Sequence, residues 1–133
     1  MEKILIISGG YLQRLREIAS GNGVGVITDW LKKEHAARAK FKVRMAYIGK
    51  IPRTDLHKKQ FNYLEDGIWE IKWEAAKKTW RAVGFDKDGF FVMVIGCSHK
   101  DGVYDPRNWL TTAKLRKKET IEGKWRIIDY VYP

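Results

Sequence analysis

The chain has 133 residues, 44% of them hydrophobic and 13% aromatic, and a formal net charge of +10. That length suits one domain with a real core but not two, and so much apolar side chain excludes a disordered polymer. Cys97 is the only cysteine, which excludes an internal disulfide and a cysteine-based zinc site, and no apolar run approaches the roughly 20 residues that span a bilayer. A single domain over residues 1–133, cytoplasmic and without a membrane partner, is expected.

The charge is placed unevenly. Residues 31–60 hold ten Lys/Arg against two acids, Glu34 and Asp55, and so carry +8 of the +10. A basic field of that size favours a polyanion such as nucleic acid or an anionic lipid surface, although the same residues would also serve as a solvated helix face.

Lys3 to Ile7 reads as a short buried strand ended by Ser8-Gly9-Gly10. Tyr11 to Ala19 then places Leu12, Leu15, Ile18 and Ala19 on one helical face. The connection Gly21-Asn22-Gly23-Val24-Gly25 lacks both the lysine-bearing phosphate loop and the dinucleotide pattern, so it is taken as a turn without a ligand. Thr28 or Asp29 can cap a long helix running to about Gly49, whose apolar stripe is Ile27, Trp30 or Leu31, Ala37, Phe41, Met45 and Ile48. Lys33, Lys40 and Arg44 share another face of that helix, with Lys32, Arg38 and Lys42 close by. Pro52 ends it, and residues 53–64 form a basic connector with a helical turn closing on Phe61 and Leu64.

From Gly67 the period changes to two. Ile68 to Trp73, Trp80 to Phe85 and Phe90 to Gly96 read as three strands of an antiparallel meander, with a turn at Asp86-Lys87-Asp88-Gly89 between the last two. Asn108 or Thr111 opens a final helix carrying Leu110, Ala113 and Leu115, and Trp125 to Tyr132 reads as a last strand. The fold class is therefore α+β: N-terminal helices on a small antiparallel sheet with a C-terminal helix, allowing extra terminal strands.

Alternation sends Ile71 and Trp73 to one face of their strand and Lys72 to the other, while Arg81 lies on the next strand. If the strands pair about the intervening turn, the two cations converge on one phosphate, where the planar fork of Arg81 suits two oxygens. The alternative is a pair of ordinary solvent-face charges. His99 is the most natural acid/base group, since an imidazole takes either role near neutral pH. The three histidines His35, His57 and His99 show no ligand spacing, so neither metal nor cofactor is expected.

The order of a basic helix, Leu64-Glu65-Asp66-Gly67-Ile68-Trp69-Glu70-Ile71-Lys72, Trp80-Arg81-Ala82-Val83, a hydrophobic strand, Ser98-His99-Lys100 and Ala113-Lys114-Leu115-Arg116 resembles the RelE/HigB-like toxins, particularly their phage-derived branch. The likeness covers about residues 28–118, and His99-Lys100 stands where that branch commonly has two lysines. The resemblance implies a RelE-like domain acting as a messenger RNA endoribonuclease, associated with the ribosome and restrained by a cognate antitoxin. It implies strand-borne catalytic or phosphate-binding cations at Lys72 and Arg81, a basic motif at His99 and Lys100, and a tyrosine, Tyr104, as base or stacking platform. Lys33, Lys40, Arg44, Arg53, Lys58 and Lys59 would form the RNA-binding ridge. The same charge also suits a non-catalytic nucleic-acid-binding phage accessory protein.

Overall fold

The computed structural model of the protein describes residues 10–12 and 14–133, so the strand expected at Lys3–Ile7 lies outside the described residues. The expected α+β class holds: two N-terminal helices pack on a sheet that is followed by a C-terminal helix. The sheet is larger than the meander and mixed rather than purely antiparallel.

The first described element corrects the reading of Tyr11–Ala19 as a helix, because strand β1 runs from Leu15 to Ala19. It lies between two other strands and is buried on both faces, so it shows no polar alternation. Leu15 joins the core on one side of the sheet and Ile18 the core on the other. A spacing of three, which a helix would place on one face, places them on opposite faces of a strand.

Helices α1 (Val26–Leu31) and α2 (His35–Ile48) replace the single helix expected up to Gly49. The break falls at Lys32-Lys33-Glu34, and it removes Lys33 from the face it was to share with Lys40 and Arg44. Neither Thr28 nor Asp29 caps α1; the residue before its first turn is Gly25. The cap comes from β1, where the buried carboxylate of Glu17 accepts from the Ile27 amide at 2.7 Å, the Thr28 amide at 2.9 Å and the Thr28 hydroxyl. A Cβ at Gly25 would lie 2.0 Å from that carboxyl carbon, which is why glycine stands there. Ala37, Phe41, Met45 and Ile48 form the buried stripe of α2, as their spacing requires.

A 3-10 turn at Arg53–Asp55 follows, and then strand β2 (Phe61–Glu65) where a helical turn was expected. β2 pairs with β3 (Ile68–Ala75), β3 with β4 (Lys78–Lys87), β4 with β5 (Phe90–Lys100), and β5 with the short β6 (Val103–Asp105), all antiparallel. Each pair after β2 is joined by a two-residue turn with positive φ at both positions: Asp66-Gly67, Ala76-Lys77, Asp88-Gly89 and Asp101-Gly102. β1 lies parallel to β5 and antiparallel to β7 (Arg126–Asp129), giving the order β2-β3-β4-β5-β1-β7 with β6 on the free length of β5. The last strand is thus shorter than the expected Trp125–Tyr132, and Tyr130 instead turns into the core beside Phe41.

Helices α1 and α2 cover one face of the sheet, where Trp73 and Trp80 are buried and Trp30 lies against both rings. Helix α3 (Trp109–Ile121) covers the other, packing Leu110 and Ala113 on Ile68, Val83, Val92 and Val94. Trp30 also lies on the backbone of Gly96, where a Cβ would sit 2.0 Å from a ring carbon. Gly96→Ala is therefore expected to lower the urea-unfolding free energy by about 1–3 kcal/mol, the usual cost of overpacking. Gly21→Ala, in open space, should change it by less than about 0.5 kcal/mol.

Candidate functional site

The register of β3, β4 and β5 brings the candidate residues together. Lys72 is directly opposite Arg81, Arg81 opposite Cys97, Glu74 opposite Thr79, and Thr79 opposite His99. Directly opposed residues share a sheet face, so all six lie on the side covered by α3. The helix begins at Trp109, whose ring centre is 6.0 Å from the Arg81 guanidinium carbon. Beyond it opens a cleft of about 840 Å³, lined on the sheet by Lys72, Trp73, Glu74, Thr79, Arg81 and His99. Arg44 of α2 and His57, Lys59 and Gln60, which precede β2, complete the lining; the Gln60 carbonyl extends the β2 ladder by accepting from the Lys72 amide at 2.9 Å.

The cleft is thus strongly cationic, with Glu74 as the carboxylate in its wall. That carboxylate accepts from the Thr79 hydroxyl at 2.8 Å. The Nδ1 atom of His57 accepts from the Lys59 amide at 3.0 Å, which assigns the ring's proton to Nε2. Arg81 is only 13% exposed; its Nη1 donates to Oε1 of the buried Glu70 at 2.8 Å, and its Nε is buried without a hydrogen-bond partner. The other oxygen of Glu70 accepts from Asn62 of β2 at 3.2 Å. On its exposed side Arg81 lies 5.2 Å from the centre of the Tyr104 ring, and Tyr104 stacks on His99 with centroids 4.3 Å apart and planes inclined by 12°.

Of the residues singled out in the sequence, Lys72, Arg81, His99, Arg44 and Lys59 line one cleft, with Tyr104 against its edge. Lys100 follows His99 on β5, is exposed, and does not line the cleft, because neighbouring strand residues face opposite ways. Lys33, Lys40 and Lys58 are exposed outside it. Arg53 departs from the RNA-binding ridge altogether. It is buried, forms a bidentate pair with Asp86 at 2.7 and 3.0 Å, and lies 4.7 Å from the centre of the Phe61 ring.

His57 and Glu70 were not among the expected site residues. Nothing in the local spacing marks His57, since only the fold brings its loop to β3. Glu70 carried a usable signal: alternation puts it on the face of Lys72, one diagonal step from Arg81.

Such a set can bind an anionic group such as a phosphate and exchange protons with it. Among the described residues there is no group of three or more His, Cys, Asp and Glu that could hold a metal ion, and no helix long and apolar enough to cross a membrane. Cys97, beneath the cleft, is fully buried, and burial pushes its thiol up to about 12 against the lowering effect of Arg81. It is held as a thiol.

The family described as phage-derived protein Gp49-like matches residues 29–118, a span that runs from α1 into α3 and contains every residue lining the cleft. The chain belongs to this family. No curated protein and no solved structure matches it.

Two outcomes follow from this geometry. Arg53→Ala should lower the urea-unfolding free energy by about 2–4 kcal/mol, as expected for breaking a largely buried ion pair. Cys97 should resist iodoacetamide at pH 8 until the chain unfolds. Because the unfolded thiol ionises near pH 9 and the folded one near 12, its contribution to stability should fall as pH rises through that window.

Proposed function

We propose that the protein is an endoribonuclease of the RelE/HigB toxin type, cutting messenger RNA and restrained by a cognate antitoxin. The supporting observation is the cleft itself: two imidazoles, His57 and His99, face the same cavity as Lys72, Lys59, Arg44 and Arg81. Cleavage by the RNA's own 2′-hydroxyl needs a base, an acid and cations. His99 takes the 2′-hydroxyl proton as the 2′-oxygen bonds to phosphorus. The bond to the 5′-oxygen breaks, and the ammonium of Lys59, in the same cleft, gives that leaving oxygen its proton. The products are a 2′,3′-cyclic phosphate and a 5′-hydroxyl. Lys72, central on β3, balances the charge that gathers on the phosphate oxygens.

General acid and base groups each contribute about 10²–10⁴-fold, so an open cleft gains from a substrate held by other means. The exposed Lys40 and Lys58 beside it suit docking on a large RNA such as the ribosome.

Primer extension on messenger RNA after brief induction tests this reading, with and without translation of the message. New 5′ ends are expected with the wild type, and their dependence on translation would indicate ribosome-held substrate. Lys72→Ala and His99→Gln, both at partly exposed positions, should fold and lose at least about 100-fold in cleavage, together with growth inhibition. RNA binding by folded wild-type protein with no new ends would overturn the enzyme in favour of a binding module.

A further inference from the structure

Arg81 is a poor match for a residue that grips phosphate. One arm of its fork is committed to Glu70, a side chain 2% exposed, so the charge is largely balanced within the sheet. Its planar group is walled by the rings of Tyr104 and Trp109, which limits the approach of a phosphate. What the guanidinium does touch is the aromatic pair that ends in the acid/base candidate. Asn62, Glu70, Arg81, Tyr104 and His99 form a continuous series from β2 across the sheet to β6 and β5.

From this geometry we infer that the Glu70–Arg81 pair is a buried strut that sets the ring of Tyr104, and that Tyr104 in turn sets the plane of His99 by stacking. Glu70, Arg81 and Tyr104 are then positioning residues, and Tyr104 acts through its ring face rather than its hydroxyl. The physical case is one of rigidity. A His ring at the end of a strand turns about two soft torsions, and a face-to-face neighbour at 4.3 Å restricts that freedom only if it is itself held. β6 is three residues long, too short a ladder to do so alone. A cation packed on the ring adds an attraction that strengthens away from water, and the buried carboxylate fixes where that cation lies.

This inference rests on the ribonuclease reading only for its kinetic consequence, so two measurements are paired. The first is proton NMR of the His99 ring in the full chain, assigned with His99→Gln. Stacking on Tyr104 should move these ring protons upfield in the wild type, with cross-relaxation to the Tyr104 ring. The upfield shift should collapse in Glu70→Gln and in Tyr104→Leu, in proteins whose remaining indole and methyl signals stay dispersed. Tyr104 is half-exposed, so Tyr104→Leu decides the lower half of the strut even where Glu70→Gln fails to fold.

The second measurement is steady-state cleavage of a short RNA. Both variants should lose about tenfold or more in kcat, with KM changed by less than about threefold, the pattern of a lost transition-state alignment. Tyr104→Phe, which keeps the ring, should recover most of the kcat lost in Tyr104→Leu. An unmoved His99 signal in folded Glu70→Gln and Tyr104→Leu would overturn the strut. So would a rise in KM at constant kcat in Glu70→Gln, which would return Arg81 to phosphate binding, or a Tyr104→Phe as inactive as Tyr104→Leu. If the wild type cleaves no RNA, the ribonuclease reading fails while the NMR result still decides the strut.

Discussion

A slip of one residue between β3 and β4 would turn Lys72 and Arg81 to opposite faces and carry either Ile71 and Trp73 or Trp80 and Ala82 out of the core under α1 and α2. The apolar and polar halves of these strands therefore enforce the same register. The tryptophans on one face hold in place the cations on the other. Trp73 donates to the Ala37 carbonyl of α2 at 3.0 Å and Trp80 to the Ala75 carbonyl at 2.8 Å, so both are anchored by direction as well as by area. The site inherits its precision from a core that meets it at Trp73.

The two ion-paired arginines Arg53 and Arg81 show how little residue type says about role. Arg53 and Arg81 are each paired with a carboxylate and each flanked by aromatic rings, yet Arg53 ties the 3-10 turn to β4 deep beside Phe61, while Arg81 stands where the covering of α3 ends. Removing either carboxylate would leave a charge in low dielectric, so both pairs restrict sequence more than they add net stability. What separates them is the face of the sheet and the reach of the nearest helix. Both are properties of the fold.

Much of that fold was legible because it is local. Asp-Gly at 66–67 and 88–89 fits the two-residue hairpin turns, and the stripe of α2 recurs at helical spacing. The rest was set by distant partners. Ala76-Lys77 adopts the same turn without glycine or asparagine, because the strands on either side impose it. The start of α1 is fixed by Glu17, ten residues upstream and on another element, so no nearby capping residue signals it. β1 is buried on both faces and so lacks the alternation that announces a strand. In the site, Lys72 opposite Arg81 was readable from two adjacent strands and their turn, whereas His57 arrives through the β2 edge, which had been read as a helical connector.

The basic segment that dominated the sequence also divides once it folds. Arg53 is neutralised in the core, Arg44 and Lys59 line the cleft, and Lys33, Lys40 and Lys58 remain exposed outside it. Exposed charges act over about 8–10 Å and are screened by physiological salt, so they govern how an anionic chain arrives and how long it stays. Charges that line the cleft, half-buried at Lys72 and Arg44, are screened less and act on the phosphate once it is seated. On the ribonuclease reading these two sets of cations do different work. Added salt should act mainly on the docking of RNA, whereas the alignment of His99 with its phosphate depends on contacts that salt barely reaches.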